Sequence, residues 1–528
     1  MHVDLDRVDS TACSSRPYRA RVCIAGAGVA GIILASSLAS SGIEVHLLEG
    51  GGLEPEESSQ ELYNVRMAGT PHLGATEGRF RAFGGSSIRW GGQLLPYTED
   101  VLHPPEKLGL PRWPLDLREV EPYYDEVQQI FQLSQRPFTD ALVAAFGRPL
   151  PFVSNEIRLR FSKWAPFRRR NLAHTLGREC VGSRRITLFT HANVVSAELN
   201  ESGGSTRELV AVNNCGARFW FTADIFVLCL GTIETSRLLL ASRSLCSAGV
   251  GNQHDQVGRY FHDHIGVTAA EVAPEERAEV IERFAPFISQ RTLHTPKLEA
   301  TASLRQEQQL LSVMAHFPIE EPQDSGVGSI RAILRSLQGK QFDRNFYRNL
   351  LDMPRGSAEI LELAWAAKFK GRRALSRRAR ISLHIDCEQK PRAESRIRIS
   401  EERDRLGMPV CIVDWKIGEE EHETLRKFAA VVDKCLCGVG IRSLKWSPEI
   451  TQQGDSWMEC AADTFHMMGG TRMGTVPASS VVDGNLRVHG IENLYIASCS
   501  TFPTGGSSNP TFTLMAMTLR LKDRIAAL

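Results

Sequence analysis

Arg21–Glu49, RVCIAGAGVAGIILASSLASSGIEVHLLE, decides the fold of this chain. Val22–Ala25 is a short apolar run of strand type. Gly26, Gly28 and Gly31 follow as G-x-G-x-x-G, and a helix of small residues over Val29–Ser40 leads through Gly42 into a second apolar run, Val45–Leu48. The spacing predicts a βαβ unit that holds a dinucleotide. Gly26 permits the tight turn, Gly28 lets the backbone approach a pyrophosphate at the helix N-terminus, and Gly31 lets the helix press on the strand. Glu49 follows about 20 residues after the glycines, where a carboxylate can accept hydrogen bonds from a ribose. The unit alone leaves NAD and FAD both open.

Outward from that unit, 528 residues that are 42% hydrophobic and 23% charged can bury a large core and suggest more than one domain. A formal net charge of +1 gives no overall attraction to nucleic acid or to an anionic membrane. The first 20 residues mix acids, bases and polar groups without the apolar core of a signal peptide, so they read as a short tail and the expected location is cytoplasmic. No apolar run is long enough to predict a membrane span. The 12 cysteines contain no C-x-x-C pair, Cys435 and Cys437 being the nearest to one, so free thiols are expected and no metal or haem site is.

Further along, RFRAFGGSSIRWGGQLLPY (79–97) carries two glycine pairs around Ser86 and Ser87, a backbone suited to touching a flat ligand or a phosphate. Trp113–Phe131 reads as a capped amphipathic helix used for packing. The Arg168–Arg170 run reads as a solvated face. From Ile186 the pattern turns to strands, and Ile225–Leu230 followed by a helix over Glu234–Leu240 predicts a second crossover into the same parallel sheet. His262 and His264 alternate as on a strand, but no further ligands lie nearby in sequence, and a structural reading is preferred to a metal pair. Longer polar connections and alternating strands such as ARISLHIDCEQ mark a second domain between about 276 and 454. Its basic stretch Lys368–Arg380 reads as a solvated lid or linker. Near the C-terminus, FHMMGGTRMG (465–474) places His466 beside a glycine-rich turn. Asn509 precedes an apolar helix opened by Pro510, a favoured first-turn residue. Both are loop positions held by rigid elements.

These blocks, in this order, resemble the glucose–methanol–choline (GMC) flavoprotein oxidoreductases over nearly the whole length. The blocks are the Gly26/Gly28/Gly31 unit with Glu49, FGGSSIRWGG, WPLDLREVEPYYDE, VLCLGTIETSRLLL, VGRYFHDH, ESRIRISEERDRLGMPVCIVDW and the two C-terminal segments. The resemblance implies an α/β fold in which a discontinuous Rossmann-like FAD-binding domain (18–135, 176–275 and 455–528) joins a substrate-binding domain with a largely antiparallel sheet (136–175 and 276–454). It implies FAD in place of NAD, with Glu49 on the adenosine ribose, Gly84, Gly85, Ser86 and Ser87 along the pyrophosphate and isoalloxazine, and Val194 or Val195 at the adenine. Ser498, Asn509, Pro510 and Thr511 are implied as further cofactor contacts, and His466 and Asn509 as the catalytic pair. Two departures stand out. Some sugar oxidases of this kind attach FAD through a histidine where this chain has Arg89, so non-covalent FAD is expected. Ser498 replaces an aspartate or glycine common in the family.

The chemistry asks for such a pair. Oxidising a CH–OH carbon removes the hydroxyl proton as hydride passes to flavin N5, so a base must reach the oxygen; neutral His466 can accept the proton and Asn509 can donate to the developing charge. The segment IASCSTFPTGGSSNPT resembles the sugar dehydrogenase and pyranose oxidase branch, which implies a sugar, glycoside or polyol as substrate and oxygen or another oxidant as acceptor. A steroid, an aryl or aliphatic alcohol, or a natural-product hydroxyl such as that of an aminoglycoside is the alternative, polar groups facing the flavin being the discriminator. A redox-silent relative, such as a lyase, is the third reading.

Overall fold

The computed structural model describes residues 1–8, 17–144, 154–320, 379–454 and 456–528, with Pro322 and Ile333. Two large sheets organise them. The first has eight strands, in the order His2–Asp4, Ile186–Thr190, Val45–Leu48, Tyr18–Ala25, Arg218–Leu228, Thr206–Val212 and Asn193–Leu199, with Leu494–Ile496 added beside Arg218–Leu228. Its pairings are parallel except for the two that join Thr206–Val212 to its neighbours. Parallel strands covered on both faces read as continuous apolar runs, and Val22 to Ala25 are fully buried. The helix Val29–Ser40 buries Ile32, Ile33, Leu34, Ala35 and Leu38 against this sheet and against the final helix, Pro510–Ala526.

The expected βαβ unit is present within these limits, its first strand beginning earlier, at Tyr18. The second crossover is present as Arg218–Leu228 followed by a helix over Gly231–Ala241. Trp113–Phe131 divides into a 3-10 turn, Leu117–Glu119, and a helix, Glu121–Phe131, with Pro122 in its first turn. The N-terminus is more than a tail. His2–Asp4 pairs with Ile186–Thr190, and the Met1 ammonium donates to the Ile186 carbonyl at 2.7 Å. Three residues are too short a run for the periodicity that marks a strand, which is why composition missed it.

The second sheet is antiparallel and ten-stranded, built mainly from Ile157–Trp164, Thr292–Ala300, Val313–His316, Arg380–Glu388 and His264–Val272. Alternation sends Ile265, Val267, Leu383, Ile385 and Cys387 into a second core with Trp415, Leu425 and Phe428. The opposite face carries His264, Lys297, Glu299, His316, His384, Asp386 and Glu388. Gln93–Leu94 and His264–Val272, both inside the segments expected to bind the cofactor, pair within this antiparallel sheet. Of the basic stretch 368–380, residues 368–378 lie outside the described residues. Among the described residues no helix is long and apolar enough to cross a membrane, and their cysteines are all free.

Candidate active site

A cleft of about 620 Å³ runs from the first βα turn to the head of the final helix. Gly26, Gly28 and Glu49 line one end; His466, Ser498, Asn509, Pro510 and Thr511 line the other, with Gly85, Ser86 and Ser87 between.

The three motif glycines differ in what they serve. Gly26 has φ +99°, and a Cβ there would lie 2.5 Å from the Cys229 carbonyl oxygen. A Cβ at Gly31 would lie 1.9 Å from the Gly26 oxygen, so the helix rests directly on the turn. Both are demanded by the fold. A Cβ at Gly28 would have nothing nearer than the Gly85 Cα at 3.9 Å and would stand in the cleft itself. Its emptiness serves whatever lies there, which is the cradle expected of a pyrophosphate-bearing cofactor. Gly84, at φ +106°, donates its N–H to the Ala27 carbonyl at 2.9 Å and so ties the second glycine block to the first. Ser87 is buried, its hydroxyl donating to the Gly84 carbonyl and accepting from the Leu172 N–H.

Glu49 is nearly buried, and its two carboxylate oxygens accept from the N–H groups of Ala27 at 3.0 Å and Gly51 at 2.9 Å. Burial pushes its pKa up against the opposing effect of those hydrogen bonds and of Arg81. Val194 faces the cleft, whereas Val195, at the bulge that interrupts the pairing between Val194 and Ser196, lines a separate cavity with Ser196 and Arg218. Gly31 and Gly84 likewise act on backbone and do not line the cleft.

At the other end, His466 Nε2 is 2.9 Å from Asn509 Nδ2. Its Nδ1 is 2.7 Å from Thr464 Oγ1 and 3.1 Å from His264 Nδ1. The preceding residue, Phe465, sits at φ +64°, an unusual conformation for an aromatic side chain, and Gly74 and Gly78 leave it room. Burial, reinforced by the neighbouring His264, pushes the His466 pKa down to about 4, so the imidazole is neutral near pH 7. Beneath the loop lies Asp263, fully buried, whose Oδ1 accepts from the N–H groups of His264 (2.6 Å), His466 (3.0 Å) and Thr464 (3.3 Å). Its Oδ2 faces His72 Nε2 at 3.2 Å. Although burial alone would raise its pKa, the His72 hydrogen bond and the nearby imidazoles hold it below the usual carboxylate range.

The polar face of the antiparallel sheet fixes the loop that delivers Asn509. Glu388 Oε1 accepts from the Gly505 and Gly506 N–H groups at 3.1 and 2.9 Å. Ser507 donates to Glu299, and Arg160 donates to Ser508.

Residues 391–518 match the family model described as GMC oxidoreductase. That match places the C-terminal part of the chain in the GMC oxidoreductase family. The likeness to relatives extends over nearly the whole chain: the fructose dehydrogenase large subunit of Gluconobacter japonicus is 23% identical over 97% of this chain and 98% of its own length. Paromamine 6'-oxidase of Streptomyces fradiae is 24% identical over 96% and 91%. Among solved structures, pyridoxine 4-oxidase from Mesorbium loti has a TM-score of 0.58 at 17% identity, covering 96% of this chain and 99% of that one. A formate oxidase has a TM-score of 0.59 at 17% identity, covering 97% and 99%. The fold is the α/β GMC fold, and the protein is an oxidoreductase.

The motif reading missed several cleft residues. Arg79 and Arg81 stack on Tyr63, with guanidinium carbons 4.6 and 4.9 Å from the ring centroid. Arg79 also pairs with Glu234 at 2.9 Å, and Arg81 donates to Asn193 at 2.8 Å. The alternating arginines of RFRAFGG were the available signal. His264, read as structural, reaches the site instead; nothing local in the sequence tells that the strand it opens ends against His466.

Proposed function

We propose that this protein oxidises a CH–OH group of a sugar, glycoside or polyol with FAD as cofactor. The observation that carries the reading is the His466–Asn509 pair at one end of a cleft whose other end is the glycine cradle. FAD would be held by Glu49 and the Gly26–Gly28 turn at its adenosine and pyrophosphate end, with Val194 at the adenine. Gly85, Ser86, Ser498, Pro510 and Thr511 would border its ring. When bound, it supplies the acceptor for the electrons that leave the substrate. The chain supplies the rest. His466 Nε2 accepts the hydroxyl proton once the substrate hydroxyl takes the place of the Asn509 amide at its lone pair, and its low basicity in the resting site keeps it unprotonated near neutral pH. Buried, ionised Asp263 stabilises the imidazolium that results. Asn509 donates from its amide to the substrate oxygen as charge grows on it.

The preference for a polyhydroxylated substrate rests on the sheet face behind His466, which presents His, Lys, Asp and Glu side chains. It is supported by relatives named for fructose, paromamine and, in Mycolicibacterium austroafricanum, 2-methyl-1,2-propanediol. An amino sugar is the second reading, supported by the relative named for paromamine.

Arg89 lies over the Phe80 ring, 5.6 Å from its centroid, where a histidine could carry a covalent link; this supports non-covalent FAD. Flavin that stays in the pellet after acid precipitation would contradict it. The test of function is an anaerobic screen of sugars, amino sugars, polyols and lipophilic alcohols for loss of flavin absorbance, followed by air to read the acceptor. Bleaching by polyols is the expected result; bleaching by lipophilic alcohols alone, or by none, would sink the proposal. His466→Ala should keep FAD and lose at least about 10²-fold in reduction rate.

A further inference from the structure

The hydrogen-bond chain behind the proposed base has a direction that one member fixes. From the sheet to the cleft it runs Gly505 carbonyl, His264, His466, Asn509, with spacings of 3.1 Å (Gly505 O to His264 Nε2), 3.1 Å (His264 Nδ1 to His466 Nδ1) and 2.9 Å (His466 Nε2 to Asn509 Nδ2). Imidazoles and side-chain amides can present donor or acceptor at either end, but a main-chain carbonyl can only accept. His264 Nε2 must therefore carry a hydrogen, which in the neutral ring leaves Nδ1 as the acceptor. His466 Nδ1 must then be the donor to it, so the lone pair of His466 lies on Nε2, pointing at the cleft and receiving the Asn509 amide.

We infer that His264 is a positioning residue that holds His466 in the Nδ1–H tautomer and so places the proton-accepting lone pair on the substrate side. The surroundings agree. Thr464 Oγ1, 2.7 Å from His466 Nδ1, also lies 3.3 Å from Asp263 Oδ1; as Asp263 only accepts, the hydroxyl hydrogen turns to it and the oxygen is left to accept from His466. His264 is buried to 1% exposure, and Asp263 Oδ1 takes its N–H at 2.6 Å, so the ring is held at both main chain and side chain. The Gly505 carbonyl is itself immobilised, because Glu388 takes the Gly505 and Gly506 N–H groups. Without an acceptor at His264, Thr464 Oγ1 alone holds the Nδ1 hydrogen, and the other tautomer of His466, with Nε2 carrying a hydrogen and unable to take the substrate proton, gains population. An orienting partner has this leverage because the hydrogen bond at one ring nitrogen decides the state of the other.

This rests on His466 being the base, and the test separates the two claims. In full-length flavin-loaded protein with 15N-labelled histidine, nitrogen shifts near neutral pH should show His466 protonated at Nδ1 and His264 at Nε2. His466 protonated at Nε2, or His264 protonated at both nitrogens, overturns the inference whatever the kinetics. Using the alcohol that bleaches the flavin fastest, His264→Leu should lower the limiting rate of flavin reduction at least about 10-fold, with substrate dissociation constant and FAD content within twofold of the parent. His264→Asn, whose amide oxygen can stand where Nδ1 accepts, should recover most of the rate. A Leu variant within twofold of the parent, or an Asn variant as slow as Leu, overturns the inference; should the Leu variant fail to fold, the tautomer measurement and the Asn variant still decide it. Normal reduction in His466→Ala would instead bring down the base assignment, to which the tautomer measurement is indifferent.

Discussion

Three glycines in one six-residue motif carry different burdens, and substitution separates them. Gly26→Ala forces a Cβ to within 2.5 Å of a carbonyl oxygen at φ +99°, so it should destabilise the protein by about 1–3 kcal/mol or more and lower the melting temperature with or without flavin. Gly28→Ala meets only open cleft at an ordinary φ of −84°; its melting temperature without flavin should stay near the parent's while FAD affinity falls at least about 10-fold, read by flavin titration. Equal melting losses in both variants would contradict the division. Asn509→Ala removes the donor facing His466 Nε2 and should cost about 10²-fold in the rate of flavin reduction, while Asn509→His keeps a donor there and more of the rate. His466 and Asn509 were legible in the sequence because each sits in a local block of distinctive residues. His264 and Asp263 were not, since their importance lies in contacts about 200 residues away along the chain, and no local pattern records such a meeting.

Among the elements, the helix Val29–Ser40 and the strand Val45–Leu48 follow their hydrophobic runs residue for residue, because each is long enough, or apolar enough, for periodicity to outweigh context. The strand His2–Asp4 follows none. It is held by side chains at its end: His191 Nδ1 is 2.6 Å from Asp4 Oδ1 and its Nε2 is 3.0 Å from Glu56 Oε2. Although burial alone would lower it, the Asp4 and Glu56 hydrogen bonds raise the His191 pKa above its ordinary value. A raised folded pKa gives stability that is fully present below the unfolded value of 6.5 and is lost as pH rises through the folded pKa. His191→Gln should therefore melt about 1–3 °C below the parent at pH 6, and the gap should narrow as the pH is raised to 9. A gap that widens toward alkaline pH would refute the clamp.

Across the molecule the balance tilts the other way. Burial pushes His46, His262, His294, His316 and His466 down to about 4. The unfolded chain binds protons at these positions below about pH 6.5 while the native protein refuses them, so stability falls as pH drops from 6.5 toward 4, by up to about 1.4 kcal/mol per pH unit for each such residue. Melting temperature should be nearly flat around pH 7–8 and fall steeply below 6.5, before most carboxylates titrate; a plateau down to pH 4.5 would show that these rings titrate in the native state. The two-sheet plan was legible because apolar runs and alternating runs occupy different stretches of the chain. What the sequence hid was how far apart the partners within one sheet lie. Leu494–Ile496 lies parallel to Phe226–Leu228, and the ribosome makes it much later. At about 5–20 residues per second, the roughly 270 residues between them take on the order of 15–50 seconds to synthesise. For that time a buried-type strand edge in the nascent chain waits without its partner, open to pairing with another molecule. Yield of the folded protein should thus depend on chaperone supply and on translation speed through the middle of the message more than on any property of the finished fold.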